Sequence, residues 1–167
     1  MKTTPPRCLI LACGNTLRED DGVGPWLAEW AENRFRSEAE VGVLTRQQWT
    51  PELAKDICAV ESVVFIDCAA DSAPGLLRMA PIEPSAELPR LLTHHMGAAN
   101  LLAMCRDYYA SLPRKAMLLT VGAGSLELRE GFSSPVRAAL PDAKNLLEET
   151  VLHLIATATE IKSIQHT

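Results

Sequence analysis

The sequence predicts an α/β fold, a three-layer α/β/α arrangement with a mostly parallel, twisted sheet of about five strands and helices on both faces. Two observations predict it. Short runs that are apolar nearly throughout, such as CLILAC and SVVFIDCA, read as strands buried on both faces, as parallel strands are. Between them lie stretches with apolar residues at helical spacing, and that alternation is what a parallel sheet with helical crossovers requires. The 167 residues contain no internal repeat, low-complexity tract or long linker, so one domain is expected over residues 1–167.

Taken in order, RCLILAC (7–13) is the first strand. From Val23, the residues Val23, Trp26, Leu27, Trp30 and Ala31 fall on one helical face. VGVLT (41–45) is a second strand and PELAKDICA (51–59) a short helix with Pro at its first turn. SVVFIDCA (62–69) is the clearest strand, being β-branched and continuously apolar. GLLRMAP (75–81) is an additional strand, placed at an edge by its flanking Gly and Pro. Residues 82–92 read as loop. HHMGAANLLAMCRDYY (94–109) is helical, with Ala98, Leu101, Leu102, Cys105 and Tyr108 on one face and Thr93 as its N-cap. AMLLTVGA (116–123) is another buried strand, and a last helix runs from about Ser134 to about Ile161, broken or kinked at Pro141.

Composition narrows the function. The net charge is −5 and no dense Lys/Arg run occurs, which argues against nucleic acid or an anionic membrane as the main partner. Five cysteines, odd in number and without a C-x-x-C pair, argue against a disulfide framework or a zinc ribbon. CLILAC is too short for a signal-peptide core or a membrane span. A cytoplasmic protein is expected, and a small monomer is the simplest state.

Right-handed crossovers bring the strand-to-helix loops to one edge of the sheet, where ligands bind. Three polar positions fall there. Asp21 follows the first strand within CGNTLREDDGVGPW, Asp67 lies near the end of the strongest strand, and His94 stands at the start of a helix. Two carboxylates and an imidazole form an O, O, N set suited to a divalent ion such as nickel or zinc. Each also has a plainer reading. Asp21 and Asp20 can cap the next helix, Asp67 can bond to backbone amides, and His94 with His95 can be simply solvated. Against the first, a cap needs one Asp, whereas Glu19, Asp20 and Asp21 in succession repel one another, so a cation is expected among them. A helix N-terminus also favours the neutral, metal-binding form of His94. His153 and His166 carry no local signal.

Other chemistries lack their motifs: there is no GxGxxG, P-loop, H-E-x-x-H or G-x-S-x-G. Cys68 beside Asp67, or Cys13 beside Gly14, could in principle act as a thiol nucleophile with His94, but nothing local marks an activated thiolate, and buried cysteine is the common case.

LILACGNTLREDDGVG, then VVFIDCA, then THHMG before an apolar helix resembles the hydrogenase maturation proteases, endopeptidases that trim the C-terminus of a nickel–iron (NiFe) hydrogenase large subunit. The resemblance covers nearly the whole chain in order and spacing and implies a phosphorylase/hydrolase-like fold. It also implies Asp21, Asp67 and His94 as metal-binding positions, with Asp21 and Asp67 as the catalytic carboxylates. The metal it implies is nickel carried by the substrate, with zinc or cadmium able to occupy the site in vitro. The partner it implies is a large-subunit precursor already loaded with nickel. One departure stands out. Where the family carries a Gly-Thr element after the second strand, this chain has RQQWTPELA (46–54). Gln48, Trp49, Thr50 and His95 are therefore expected to contact the substrate, with Trp49 gripping its extended tail. The alternatives are a non-catalytic nickel carrier or docking adaptor using the same trio and, by fold analogy alone, a small-molecule hydrolase or nucleotide-binding domain.

Overall fold

The computed structural model describes residues 6–88 and 96–164, with side chains to residue 157. Five strands form one sheet: β1 (Cys8–Cys13), β2 (Val41–Arg46), β3 (Ser62–Ala69), β4 (Leu77–Pro81) and β5 (Lys115–Gly122). Their spatial order is β2-β1-β3-β5-β4. The first four in that order are parallel, and β4 closes the edge antiparallel to β5.

Helices α1 (Val23–Arg34), α2 (Leu53–Cys58), α3 (Ala98–Tyr109) and α4 (Ser134–Ile164) cover both faces, and strand alternation sorts the core between them. Cys8, Ile10 and Ala12 of β1 join Val64 and Ile66 of β3 under Leu27 and Ala31 of α1 and Leu147 and Val151 of α4. Leu9 and Leu11 join Val63 and Phe65 under Ile57 of α2 and Leu101 and Leu102 of α3. Both sides of the central strands are thus dry, which is why they read as unbroken apolar runs. Among the described residues no helix is long and apolar enough to cross a membrane.

Three local expectations are corrected. The third helix starts at Ala98, not at 94, with extended Gly97 in the cap position and no side-chain cap; Thr93 lies outside the described residues. The Ala98, Leu101, Leu102, Cys105 face is buried as expected, but Tyr108 is 66% exposed and the burial extends instead to Ala103 and Met104. The last helix is not broken at Pro141 but continues through it. Pro141 costs that helix one N–H, and the buried Val136, Leu140, Ala143, Leu147, Val151 and Leu154 stripe holds it against the sheet on either side.

Candidate active site

From β1 the chain crosses by α1 on one face to β2, and from β3 it runs through the edge strand β4 and then α3, on the other face, to β5. The carboxyl ends of β1 and β3 therefore lie where neighbouring connections part, the place open α/β sheets offer to ligands. A cleft of about 490 Å³ opens there. Cys13 of β1, Asp67 of β3, Arg18 and Asp21 of the loop after β1, residues 47–51 after β2, and Met96 before α3 line it.

The loop between β1 and α1 is shaped by its own sequence. Gly14 sits at φ +147°, and a Cβ there would run into the Asp21 backbone carbonyl, so only glycine lets the chain fold back on itself. Gly24 is needed for a similar reason: a Cβ there would run into the Cys13 backbone carbonyl, where the start of α1 packs on the end of β1. Asn15 makes an Asx turn, accepting the Leu17 N–H at 2.9 Å. The Asn15 N–H in turn donates to Asp21 Oδ2 at 2.9 Å, which closes the loop and fixes the Asp21 carboxylate at the cleft.

The acidic triplet divides its work. Glu19 is 1% exposed and pairs with Arg129; hydrogen bonding to Ser125 and to that guanidinium lowers its pKa. Asp20, fully buried, accepts N–H bonds from Gly124 (2.8 Å), Ser125 (2.9 Å) and Ser133 (2.7 Å) and the Ser133 hydroxyl (2.6 Å). Burial pushes its pKa up, but these four donors outweigh it and the net shift is downward. Two of the three acids are therefore balanced by the protein itself. The expectation of a cation among all three is corrected: only Asp21 faces the cleft. Nor does Asp21 cap α1. The triplet forms a 3₁₀ turn (Glu19–Gly22) ahead of that helix and makes no side-chain cap.

Asp67 is half-buried. Its Oδ1 accepts the Cys68 N–H at 2.9 Å and its Oδ2 the Trp49 indole N–H at 3.3 Å. Burial raises its pKa above the usual carboxylate value, and the Asp21 charge pushes the same way. Two carboxylates repelling across one polar cleft are a fitting pair of ligands for a divalent cation.

Of the expected site residues, the structure brings Asp21, Asp67, Gln48, Trp49 and Thr50 to this cleft. His94 and His95 lie outside the described residues. Met96, two positions after His94, lines the cleft, while the helix whose N-terminus was expected to keep His94 neutral begins four residues further on. Among the described residues no group of three His, Cys, Asp or Glu is placed to hold a metal ion. The thiols fit no nucleophile: burial, with the neighbouring aspartates adding to it, pushes both Cys13 and Cys68 up to about 12, so both stay protonated. Sequence reasoning missed the Asp20 clamp, the Glu19–Arg129 pair and the cleft-lining Asn15 and Arg18. The Asn15-x-Leu17 turn had a local signal, whereas the partners of Glu19 and Asp20 lie more than a hundred positions away.

Comparison with known proteins follows this geometry. The chain is 28% identical over 161 residues to the hydrogenase 2 maturation protease of Escherichia coli (strain K12), covering 92% of this chain and 94% of that protein. This chain is similar to a hydrogenase maturation protease over nearly its whole length. The resemblance expected from the sequence is thus borne out, although no family model matches. Among solved structures, the chain superposes on the hydrogenase maturating endopeptidase HybD from E. coli with a TM-score of 0.70 at 23% identity, over 88% of this chain and 93% of that one. It is also similar to the [NiFe] hydrogenase maturation protease HybD from Thermococcus kodakarensis, with a TM-score of 0.63 at 25% identity over 86% and 98% of the two chains. The shared fold is the expected five-stranded, mostly parallel α/β sheet.

Proposed function

We propose that this chain is an endopeptidase that removes the C-terminal extension of a nickel-loaded NiFe-hydrogenase large-subunit precursor. The observation that carries the reading is the convergence of Asp21 and Asp67 on one cleft at the carboxyl ends of β1 and β3, in a chain similar to maturation proteases over nearly its full length.

Asp21 and Asp67, with His94 as the third ligand, contact the substrate's nickel and so test whether insertion is complete. Zinc or cadmium can take the same donors in vitro. Bound nickel supplies Lewis-acid chemistry, polarising the scissile carbonyl or acidifying a water. One of the two aspartates accepts the water's proton, and the raised pKa of Asp67 suits it to that role. Gln48, Thr50 and His95 contact the tail of the substrate, which enters past residues 47–51. Substrate and enzyme meet in the cytoplasm, with the enzyme as a monomer.

Intact-mass measurement of precursors incubated with this chain, with and without nickel, tests the proposal. Loss of a C-terminal fragment only after nickel loading is the expected result. Tight binding with the precursor's mass unchanged would instead mark a nickel carrier or docking adaptor.

A further inference from the structure

We propose that Trp49 is a positioning residue for Asp67, a role distinct from gripping the tail and one that rests on the endopeptidase reading above. Phe65 and Asp67 are two apart on β3, so their side chains leave the same face of the sheet. Trp49, from the loop after β2, lies across both. Its ring meets Phe65 edge-on, with centroids 5.7 Å apart and planes at 84°, and its Nε1–H donates to Asp67 Oδ2 at 3.3 Å. Phe65 is fully buried in the core beneath α2 and α3, so the indole rests on a side chain packed on all sides.

The other donor to Asp67 is the adjoining Cys68 N–H, which is local and travels with the strand. Trp49 is therefore the one non-local hydrogen-bond donor to this carboxylate among the described residues. With one lone pair on each oxygen already used, the remaining ones are presented to the cleft. An outer hydrogen bond of this kind orients a ligand and keeps it in a productive geometry. The bulk that Trp49 brings to the RQQWTPELA loop thus serves as a brace for the reacting carboxylate.

Two substitutions separate bracing from gripping. Trp49→Phe keeps a ring on Phe65 but loses the donor. Trp49→Gln loses the ring but keeps an N–H the same number of bonds from Cα. Bracing predicts that W49F lowers kcat for a nickel-loaded precursor about tenfold or more with KM little changed, and that W49Q recovers most of the loss. Raised KM with kcat unchanged in W49F, or W49Q being the worse of the two, overturns it.

A second measurement needs neither substrate nor a Trp49 variant. In 15N-labelled protein, Asp67→Ala is expected to speed hydrogen exchange of the Trp49 indole several-fold while leaving Trp26 and Trp30 unchanged. An unchanged Trp49 rate overturns the brace. If the unmodified chain cleaves no precursor, the endopeptidase reading falls, and the exchange measurement still decides whether Trp49 holds Asp67.

Discussion

Asp20 and Asp21 are neighbours in the chain whose carboxylates do unrelated work: Asp20 takes four hydrogen bonds from Gly124, Ser125 and Ser133, while Asp21 takes the Asn15 N–H and faces the cleft. One acid fastens the loop and the other uses the fastening.

Substitution separates them. Asp20→Ala strips the partner from four donors around a buried charge and is expected to cost about 3 kcal/mol of stability. Because the folded state lowers the Asp20 pKa, that advantage of the native chain is full above the ordinary carboxylate pKa. It is lost as pH falls through the lowered folded value. Asp21→Asn is expected to leave denaturant stability within about 1 kcal/mol and to lower precursor cleavage about a hundredfold or more. Urea titrations at neutral and acid pH, paired with a cleavage assay, check both.

Asp67→Asn should change stability in a pH-dependent way. Burial raises the Asp67 pKa, so ionising it costs stability as pH rises from the unfolded carboxylate value through the folded one. The Asn variant removes the charge but keeps one oxygen for two donors, so it satisfies the Trp49 N–H or the Cys68 N–H and not both. Its melting point relative to the native chain is therefore expected to be higher at pH 7 than below the usual carboxylate range, and its cleavage about a hundredfold slower. The same melting difference at both pH values would count against an ionised, desolvated Asp67.

Gly14→Ala is expected to destabilise the chain by about 1–3 kcal/mol or more, since φ +147° and the Asp21 carbonyl both exclude a Cβ. The same change displaces Asp21 and so reduces cleavage. Thermal unfolding and activity should fall together here, unlike in Asp21→Asn.

The thiols should be dispensable. Cys13→Ser and Cys68→Ser are expected to retain cleavage within about fivefold, whereas loss of a true nucleophile would remove about a thousandfold or more. Rates of the two variants against the native chain give the answer.

The sheet was legible because its central strands are dry on both sides, and its periodic helices because one face of each is apolar. Helix ends were less so: the start of α3 at Ala98 has no side-chain cap to announce it, and Pro141 obscured a helix that packing holds together. In the site, Asp67 stood out as a charge in an apolar strand. The separate fates of Glu19, Asp20 and Asp21 could not be read locally, because Arg129 and Ser133 are brought to them only by the fold. The same is true of Trp49, whose bond to Asp67 depends on the packing of β2, β1 and β3 side by side.

The described lining of the cleft comes from residues 13–96, yet the loop that presents Asp21 is tied down by Gly124, Ser125, Arg129 and Ser133. A ribosome that has delivered all of the cleft's described residues has therefore not yet delivered its anchor. Processing power should be absent from nascent or truncated chains that stop short of Ser133, because the loop carrying Asp21 then lacks the donors that hold Asp20.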